Sequence, residues 1–264
     1  MKKKYNEILK DVESFYDEVG LKYDIIYPNI IESNKKIAES LKNQGLIRDD
    51  LIIADLACGS GWLLHEIHKL VPLVSLHGFD ISKESILLAN RKIIDGSISF
   101  HVADWLNLES IVNNKLDVAL CIGNSLTHFP VNIQRKILFT FSKLIKNGGS
   151  LIVDSYADWN QKLNGHYEIE PKGLKKFEGG DVVSYFFSVY TKKMAERNIC
   201  FATYNNDIGK SFVELVKFER YVTYQFPFAI KNAKLNKEKF GFSKIDKIAI
   251  SDGIDIFEYY RLLK

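Results

Sequence analysis

The chain has 264 residues, and its 36 lysines and arginines nearly balance its 33 aspartates and glutamates, which leaves a formal net charge of +3. A charge so close to zero excludes the strongly basic surface typical of nucleic-acid binders, and a hydrophobic content of 46% excludes a largely disordered chain. No apolar run approaches the roughly 18 residues that a membrane-spanning helix needs. Length and composition therefore favour a globular protein with a substantial hydrophobic core.

The first fifty residues show the pattern of helices. Ile30, Ile37 and Leu41 recur at helical spacing, and Gln44-Gly45 provides a stop signal after them. We therefore expect residues 1–48 to form a helical segment that precedes the rest of the fold.

Short apolar runs then alternate with helical patterns. The apolar runs are Leu51–Leu56, Val74–Phe79, Ile98–Val102, Leu116–Ile122 and Leu151–Val153. The helical patterns cover 62–70, 82–94 and 131–146, and Asn147-Gly148-Gly149 is the expected C-cap of the last one. Such alternation predicts βαβ units and a parallel sheet, in which ligands bind at the carboxyl ends of the strands.

A different pattern begins after about residue 165. Three runs rich in β-branched and aromatic residues, at 182–190, 198–204 and 211–224, predict an antiparallel insertion over 161–230. A helix near 231–240 and strands near 243–250 and 255–263 should then return to the sheet, where the tail would add an antiparallel strand at the edge. The predicted class is α/β, with a mostly parallel seven-stranded sheet and a core formed by 49–160 and 231–264.

A glycine-rich loop joins the first predicted strand to a helix. It reads Asp55-Leu56-Ala57-Cys58-Gly59-Ser60-Gly61, and glycines there allow a tight turn and a close approach of ligand to backbone. Asp80 ends the second strand, where a carboxylate can accept protons from both hydroxyls of an adenosine ribose. The pair of features predicts an adenosine-containing ligand.

The residues around the loop narrow the choice of that ligand. Leu64 stands where a dinucleotide fingerprint needs glycine or alanine, and no Lys-Ser/Thr follows as in a P-loop. Asp55 would repel a diphosphate, and it can instead support the loop or meet a cation. S-adenosylmethionine (SAM) carries no phosphate and has a sulfonium and an ammonium, so it suits this loop best.

Four short motifs follow one another in a fixed order. They read DLACGSG at 55–61, GFD at 78–80, ADW at 103–105 and NGGSLIVD at 147–154. As a set they resemble the class I SAM-dependent methyltransferases, which implies a Rossmann-like fold and S-adenosyl-L-homocysteine as product. More narrowly, residues 103–108 and 120–128 are similar to glycine and glycine/sarcosine N-methyltransferases, and segments at 15–17 and 23–28 resemble the tyrosine-bearing entry segment of that group.

The resemblance implies roles for residues at the cofactor site. Ala57 and the loop glycines would pass the methionine moiety, and Asp80 would hold the ribose. Asp104 would take the adenine amino group with Trp105 against the ring, although a core aromatic is the alternative interpretation of Trp105. The complete predicted cofactor set is Tyr16, Tyr23, Asp55, Ala57, Gly59, Gly61, Asp80, Ile81, Asp104, Trp105, Cys121 and Ile122.

The predicted catalytic residues are Asn124, His128, Tyr27 and Tyr156. By the resemblance, Asn124 faces the reacting centre, and the N-terminal tyrosines close the site. His128 is interpreted as a proton acceptor, a pocket-shaping residue or a cap of the next helix. Tyr156 stands where the glycine N-methyltransferases have the arginine that grips the substrate carboxylate, and a tyrosine cannot make that charged clamp. Glycine itself is therefore doubtful as acceptor, unless Arg197 or Arg220 replaces the missing arginine.

The sequence thus predicts a SAM-dependent methyltransferase of a small-molecule acceptor, with an amine nitrogen favoured. Alternatives are O- or C-methyl transfer in a natural-product pathway, a non-catalytic SAM-binding protein and, disfavoured by Leu64, an NAD-linked oxidoreductase. Residues 1–48 would cap the active site and 161–230 would form a substrate lid. Neither nucleic acid nor a membrane is an expected partner, and no metal is expected because His65 and His68 lack the i, i+4 spacing of a zinc helix.

The cysteines and the N-terminal residues bear on the cellular compartment. Three scattered cysteines, Cys58, Cys121 and Cys200, form no C-x-x-C pair and predict neither disulfides nor a zinc site. The basic N-terminal segment has no apolar core of a signal peptide. Both observations favour a protein of the reducing cytoplasm.

Overall fold

The structure is a computed structural model that describes residues 2–20, 29–92, 96–156, 167–177, 180–190, 195–204, 216–225, 229, 240–253 and 257–264. Within these ranges the chain opens with helix α1 (Lys2–Gly20) and helix α2 (Ile30–Asn43). Helix α2 buries its apolar face and ends as predicted, since Gly45 takes a left-handed φ of +67° directly after it.

Strands and helices alternate in the next hundred residues. The strands are β1 (Ile52–Asp55), β2 (Ser75–Asp80), β3 (Ile98–Val102), β4 (Leu116–Cys121) and β5 (Ile145–Tyr156). Between them lie α3 (Trp62–Leu70), α4 (Lys83–Lys92) and α5 (Val131–Leu144), with 3-10 turns at Trp105–Ser110 and Ser125–His128. The elements predicted from the apolar runs are therefore present, with ends that shift by a few residues.

The described strands form a seven-stranded sheet in the order β10-β11-β5-β4-β1-β2-β3, to which the C-terminal part contributes β10 (Lys244–Ile248) and β11 (Phe257–Leu263). Strands β1 to β5 pair in parallel. The order reverses between β1 and β4, and ligands of open α/β sheets bind in the crevice at such a reversal. The predicted class, α/β with a mostly parallel seven-stranded sheet, is confirmed.

The C-terminal strand lies elsewhere than the sequence predicted. Strand β11 is antiparallel, as expected, but it pairs with β5 on one side and β10 on the other, so that β10 forms the edge. The side chains of Tyr259 and Leu262 on β11 are buried, which fits an inner strand. An apolar pattern reveals that a strand is buried, but it does not reveal which strands are its neighbours.

Helix α5 ends earlier than the glycine pair suggested. Ile145 already has extended backbone, and Gly148 and Gly149 lie within β5 and do not form a C-cap. The last carbonyls of the helix, those of Ser142 and Lys143, accept hydrogen bonds from the side chains of Lys264 and Lys115. The hydrogen bonds that the glycines were predicted to provide at the end of the helix thus come from two lysine side chains elsewhere in the chain.

Hydrophobic residues cover both faces of the sheet. One layer packs α5 against the sheet through side chains such as Leu138 and Phe141, and the other packs α2, α3 and α4 through residues that include Leu41 and Ile67. Leu64, which argued against a dinucleotide site, is fully buried in this second layer.

A second, antiparallel sheet has the order β6-β7-β8-β9. Its strands are β6 (Tyr167–Phe177), β7 (Gly180–Tyr190), β8 (Ala195–Tyr204) and β9 (Val216–Gln225). The sequence pattern revealed three of these strands and missed β6. Strand β9 lies beside α1 and the 3-10 turn Ser125–His128, while the helix predicted near 231–240 falls almost wholly outside the described residues.

The helices in the described ranges do not combine the length and hydropathy that crossing a bilayer requires. In the same ranges, no three His, Cys, Asp or Glu side chains converge as a metal site would require.

Candidate active site

Acidic side chains gather where the parallel strands end. Asp55 ends β1 and Asp80 ends β2. Asp154 lies one residue past Val153, which pairs with Cys121 at the end of β4. Because the strands run in the same direction, these carboxylates meet at one edge of the sheet, beside the reversal of strand order.

Asp80 is oriented by backbone N–H groups from two segments. Gly59 donates to Oδ2 at 2.8 Å, and Ser82 donates to Oδ1 at 2.9 Å. Burial raises the pKa of this carboxyl, and the hydrogen bonds partly oppose the rise because they favour the charged form. Each oxygen of Asp80 keeps a second lone pair and can accept a hydrogen bond from a hydroxyl. The predicted binding of a ribose by Asp80 requires such bonds.

The loop after β1 uses its two glycines differently. Gly59 has a φ of +51°, and a Cβ built on it would meet no described heavy atom within 4 Å. Gly61 has a φ of +79°, and a Cβ there would lie 2.8 Å from Cζ of Phe100 and 3.1 Å from Cβ of Ala89. Gly61 is thus required by packing, while the open space at Gly59 lets a ligand approach the backbone.

Asp55 supports this loop from the end of β1. Its Oδ1 accepts the backbone N–H of Ala57 at 3.1 Å. Burial raises the pKa of Asp55 to about 7, and the carboxylates of Asp80 and Asp154 add to the rise. Asp55 was predicted either to support the loop or to meet a cation, and its bond from Ala57 shows that it supports the loop. A cationic ligand nearby would favour the charged form of Asp55.

Asp104 follows β3 and binds within the protein. Its Oδ1 accepts the backbone N–H of Leu106 at 3.0 Å and the hydroxyl of Tyr5 in α1. Burial raises the pKa of Tyr5, and the bond to Asp104 raises it further. Asp104, which was predicted to bind the adenine amino group, therefore also anchors α1 through Tyr5.

Trp105 makes the contacts of a core aromatic. Its ring centroid lies 5.5 Å from that of Phe129 and 5.4 Å from that of Phe141. Its indole N–H donates to the carbonyl of Leu56, at the start of the glycine loop. Trp105 thus connects the loop to the core beneath α5.

Asn124 lies three residues past the end of β4 and has a left-handed φ of +59°. The residue is only 2% exposed, yet neither Oδ1 nor Nδ2 of its amide has a hydrogen-bond partner among the described residues. Leaving a buried polar group unpaired costs roughly 1 to 3 kcal/mol, so such groups usually serve a function. Its unpaired amide makes Asn124 a candidate to bind a polar ligand group.

Asp154 holds the backbone of this turn. Its Oδ2 accepts the N–H of Gly123 at 2.9 Å, and its Oδ1 accepts the N–H of Asn124 at 2.7 Å. The side chain is 1% exposed, and burial raises its pKa to about 7, with a further contribution from Asp252. Asp154 is not among the site residues predicted from the sequence, although it follows an apolar run just as Asp80 does.

His128 lies four residues after Asn124 and contacts α1. Its Nε2 lies 2.8 Å from the hydroxyl oxygen of Tyr16, and the two rings pack edge to face with centroids 5.5 Å apart. Helix α5 begins after Pro130 without a side-chain cap, so the capping interpretation of His128 is wrong. Tyr16, predicted on the cofactor side, is joined to the histidine predicted on the acceptor side.

Helix α1 is attached to the site by a further bond. The hydroxyl of Ser82 donates to Oδ1 of Asp17 at 2.7 Å, next to the segment that orients Asp80. Sequence reasoning missed Tyr5 and Asp17, because their partners are 99 and 65 residues away. The Phe15-Tyr16-Asp17 motif was the signal that pointed to this helix.

The remaining predicted residues lie at the same edge or outside the described part. Ile81 and Ile122 are half-buried beside the strand ends, and Cys121 is buried. Tyr23 and Tyr27 fall outside the described residues. Tyr156 is described through its backbone alone, which pairs with Phe257 of β11.

Known proteins resemble this chain in sequence. Residues 53–149 match a protein family described as "Methyltransferase domain". A glycine/sarcosine N-methyltransferase of Parasynechococcus marenigrum (strain WH8102) is 29% identical over 133 residues, which cover 49% of this chain and 46% of that protein. A malonyl-[acyl-carrier protein] O-methyltransferase of Priestia megaterium is 24% identical over 167 residues, or 62% of this chain and 59% of that protein. The match thus spans about half the length of these relatives.

The fold also has solved relatives. The SAM-bound structure of CalS10, an amino pentose methyltransferase from Micromonospora echinaspora, superposes with a TM-score of 0.70 at 13% identity, covering 91% of this chain and 95% of that one. Together with the domain match, this likeness confirms the resemblance to class I SAM-dependent methyltransferases that the motifs indicated, and the neighbour shares the fold of this chain.

Proposed function

We propose that this chain, in which residues 53–149 carry a methyltransferase domain, is a SAM-dependent methyltransferase of a small molecule, most favourably of an amine nitrogen. The observation that carries the acceptor side is the buried Asn124 amide, for which the described residues supply no partner. Its Oδ1 can accept a hydrogen bond from an amine N–H. The same sheet edge holds the glycine loop and Asp80, so both reactants can meet there.

The residues present fit the cofactor. The open space at Gly59 admits a ligand to the backbone, and Asp80 is oriented to accept ribose hydroxyl protons. The buried carboxylate of Asp55, which supports the glycine loop, suits a ligand that carries positive charge. When bound, SAM would supply a methyl group from its sulfonium: a C–N bond to the acceptor would form as the C–S bond breaks, and the electron pair of that bond would stay on sulfur.

On the acceptor side, the chain positions the amine and handles its proton. Asn124 would orient the nitrogen, and holding the reactants at near-attack distance is the main source of rate in such a displacement. The nitrogen releases a proton during the reaction, and His128 would accept it. Tyr16 would hold the imidazole through its hydrogen bond to Nε2. We also propose that residues 1–48 cap the site and 161–230 enclose the acceptor, within a cytoplasmic enzyme.

An oxygen acceptor is the second candidate. The malonyl-[acyl-carrier protein] O-methyltransferase matches a longer part of this chain than the glycine/sarcosine enzyme does. Tyr156 also replaces the arginine that would grip an amino-acid carboxylate. An Asn124 amide can bind a hydroxyl as well as an amine.

The cofactor is tested by calorimetric titration with SAM. Replacing Asp80 with alanine removes a carboxylate that would bind both ribose hydroxyls, so we expect the dissociation constant to rise about 100-fold. Asp246→Ala, which removes a half-buried carboxylate that pairs with Lys244 on β10, is the matched control and should leave the affinity unchanged. Tight SAM binding by Asp80→Ala would contradict the assignment.

The reaction is tested by measuring SAM consumption over a panel of amino acids, amines, amino sugars and phenols. We expect turnover with an amine, and we expect Asn124→Gly to lower kcat by roughly 100-fold, because glycine keeps the left-handed backbone and removes the amide. Turnover with phenols alone would favour the oxygen acceptor. SAM binding without consumption of SAM by any member of the panel would count against an enzyme.

A further inference from the structure

The Asp154 side chain accepts hydrogen bonds from the backbone of Gly123 and Asn124, and the proposed reaction assigns it no part. Gly123 and Asn124 are consecutive residues with positive φ, +86° and +59°. Glycine adopts this conformation readily, but for asparagine it costs of order 1 kcal/mol, so surrounding structure must hold it. Consecutive N–H groups in such a turn form a concave site for an anion.

The anion in that concavity is the Asp154 side chain itself. One carboxylate oxygen receives each N–H, at 2.9 Å from Gly123 and 2.7 Å from Asn124. Hydrogen bonds to a charged acceptor are about twice as strong as neutral ones, and the burial of Asp154 excludes competing water. The carboxylate therefore fixes the turn at both residues at once.

The result of this grip is visible at the Asn124 side chain. An asparagine in a turn often bonds a nearby backbone N–H, but the Thr127 N–H donates to the Asn124 carbonyl at 3.2 Å, and the N–H groups of Gly123 and Asn124 donate to Asp154. The amide is left buried, with neither of its polar atoms bonded to any described group. A polar side chain held in this state is prepared to bind a ligand.

We infer that Asp154 is a positioning residue, whose buried carboxylate holds Gly123 and Asn124 in left-handed conformations and thereby keeps the Asn124 amide available to the methyl acceptor. The inference rests on the proposed function, and it concerns a residue that the family motifs left without a role at the site. Asp154 would act through Asn124 and touch neither reactant.

The groups around Asp154 determine when it can act. Asp55 lies near it at the end of β1, Tyr259 pairs with it from β11, and Asp252 accepts the Tyr259 hydroxyl at 3.1 Å. Burial, with repulsion from Asp252, raises the pKa of Asp154 to about 7. Protonation would place a hydroxyl donor against two N–H donors, so the grip should weaken as the pH falls below about 7.

Backbone amide NMR tests the grip without any acceptor. In the wild type, the Gly123 and Asn124 N–H signals should titrate with a midpoint near neutral pH, and Asp154→Asn should abolish the titration. Asp252→Asn is the matched control, since it removes the neighbouring charge and leaves both bonds. It should keep the titration and lower its midpoint. Amide signals that do not respond to pH in the wild type would overturn the inference, even if Asp154→Asn fails to fold.

Kinetics with the best acceptor from the panel test the link to Asn124. Asp154→Asn should lower kcat at least about 30-fold and change the SAM dissociation constant less than about threefold, because it disturbs the acceptor side. In the Asn124→Gly background the same change should have little further effect on kcat. Fully additive losses, or a matching loss of SAM affinity, would show a merely structural role. A wild type that transfers no methyl group would overturn the proposed function and this inference together, whereas an active wild type with an equally active Asp154→Asn variant would overturn the inference alone.

Discussion

Individual residues at the sheet edge divide into those whose side chains accept hydrogen bonds within the protein and one whose side chain makes none to a described group. Asp55, Asp80 and Asp154 each accept backbone N–H groups, and these bonds shape the loops after β1, β2 and β4. Asn124 is the contrasting case, because its buried amide lacks partners throughout the described part of the chain. The carboxylates thus shape the loops of the candidate site, which also holds the unpaired Asn124 amide.

The two loop glycines should respond differently to alanine. Gly61→Ala places a Cβ 2.8 Å from Phe100, so we expect it to lower the free energy of unfolding by roughly 2 to 4 kcal/mol. Gly59→Ala has open space and should lower it by only about 1 kcal/mol, but it should weaken SAM binding because the methyl group occupies that space. Urea denaturation and calorimetric titration measure the two effects. Equal stability losses would contradict the distinction.

At this scale the sequence predicted the positions better than the bonds. Asp80, Gly59 and Asn124 were selected from motif and strand position, and all three lie at the carboxyl edge of the sheet. The partners of Asp104 and His128 were not predictable, since Tyr5 and Tyr16 are brought to them from α1 by the tertiary fold. Spacing encodes local geometry, and these contacts are not local.

Among the elements, α1 has the most unusual position. It sends side chains to the segments after β2, β3 and β4, through Asp17, Tyr5 and Tyr16 respectively. The ring of Tyr5 also stacks on Phe129, with centroids 5.3 Å apart. Three side chains of α1 thus attach this helix to the segments that carry the candidate site.

Removing one anchor should therefore loosen α1 alone. Tyr5→Phe keeps the stacked ring and removes the hydroxyl that Asp104 accepts, a bond to a charged group worth about 1.5 to 3 kcal/mol. We expect amide hydrogen exchange across α1 to become at least about tenfold faster, while exchange in β4 and β5 is unchanged. Ser14→Ala, which removes an exposed bond to Glu18 on the same helix, should change neither. Faster exchange in the core strands would contradict local attachment.

Strands that consist of apolar runs were predicted from the sequence, whereas strand β6 and the neighbours of strand β11 were not. Strands β1 and β4 are buried almost throughout because hydrophobic layers cover both faces of the sheet, and such apolar runs are conspicuous in a sequence. Strand β6, with Pro171 and Gly173 at a pairing irregularity, lacks that pattern and was missed. The inner position of β11 depends on pairing with β5, about which composition says nothing.

The molecule as a whole buries negative charge at its functional edge. Asp55 and Asp154 both have pKa values raised to about 7, mainly by burial. Their ordinary value is 3.8, so between about pH 4 and 7 the folded chain holds protons that the unfolded chain releases. Stability from these groups must then fall as the pH rises through that window and stay constant above it. The net charge of +3 for the whole chain does not reveal this local concentration of buried carboxylates.

The consequence can be measured on the complete chain. Asp55→Asn keeps an oxygen acceptor for the Ala57 N–H and removes the buried charge, so we expect it to raise Tm at about pH 8 by at least about 3 °C more than at about pH 5.5. Asp117 is the control of opposite sign, because bonds from Ile52 and Lys146 outweigh its desolvation and lower its pKa. Since Asp117 is charged at both pH values, Asp117→Asn should lower Tm equally at each. A pH-independent effect of Asp55→Asn would mean that the carboxylate edge is not under electrostatic strain, and the attraction for a cationic cofactor would need another source.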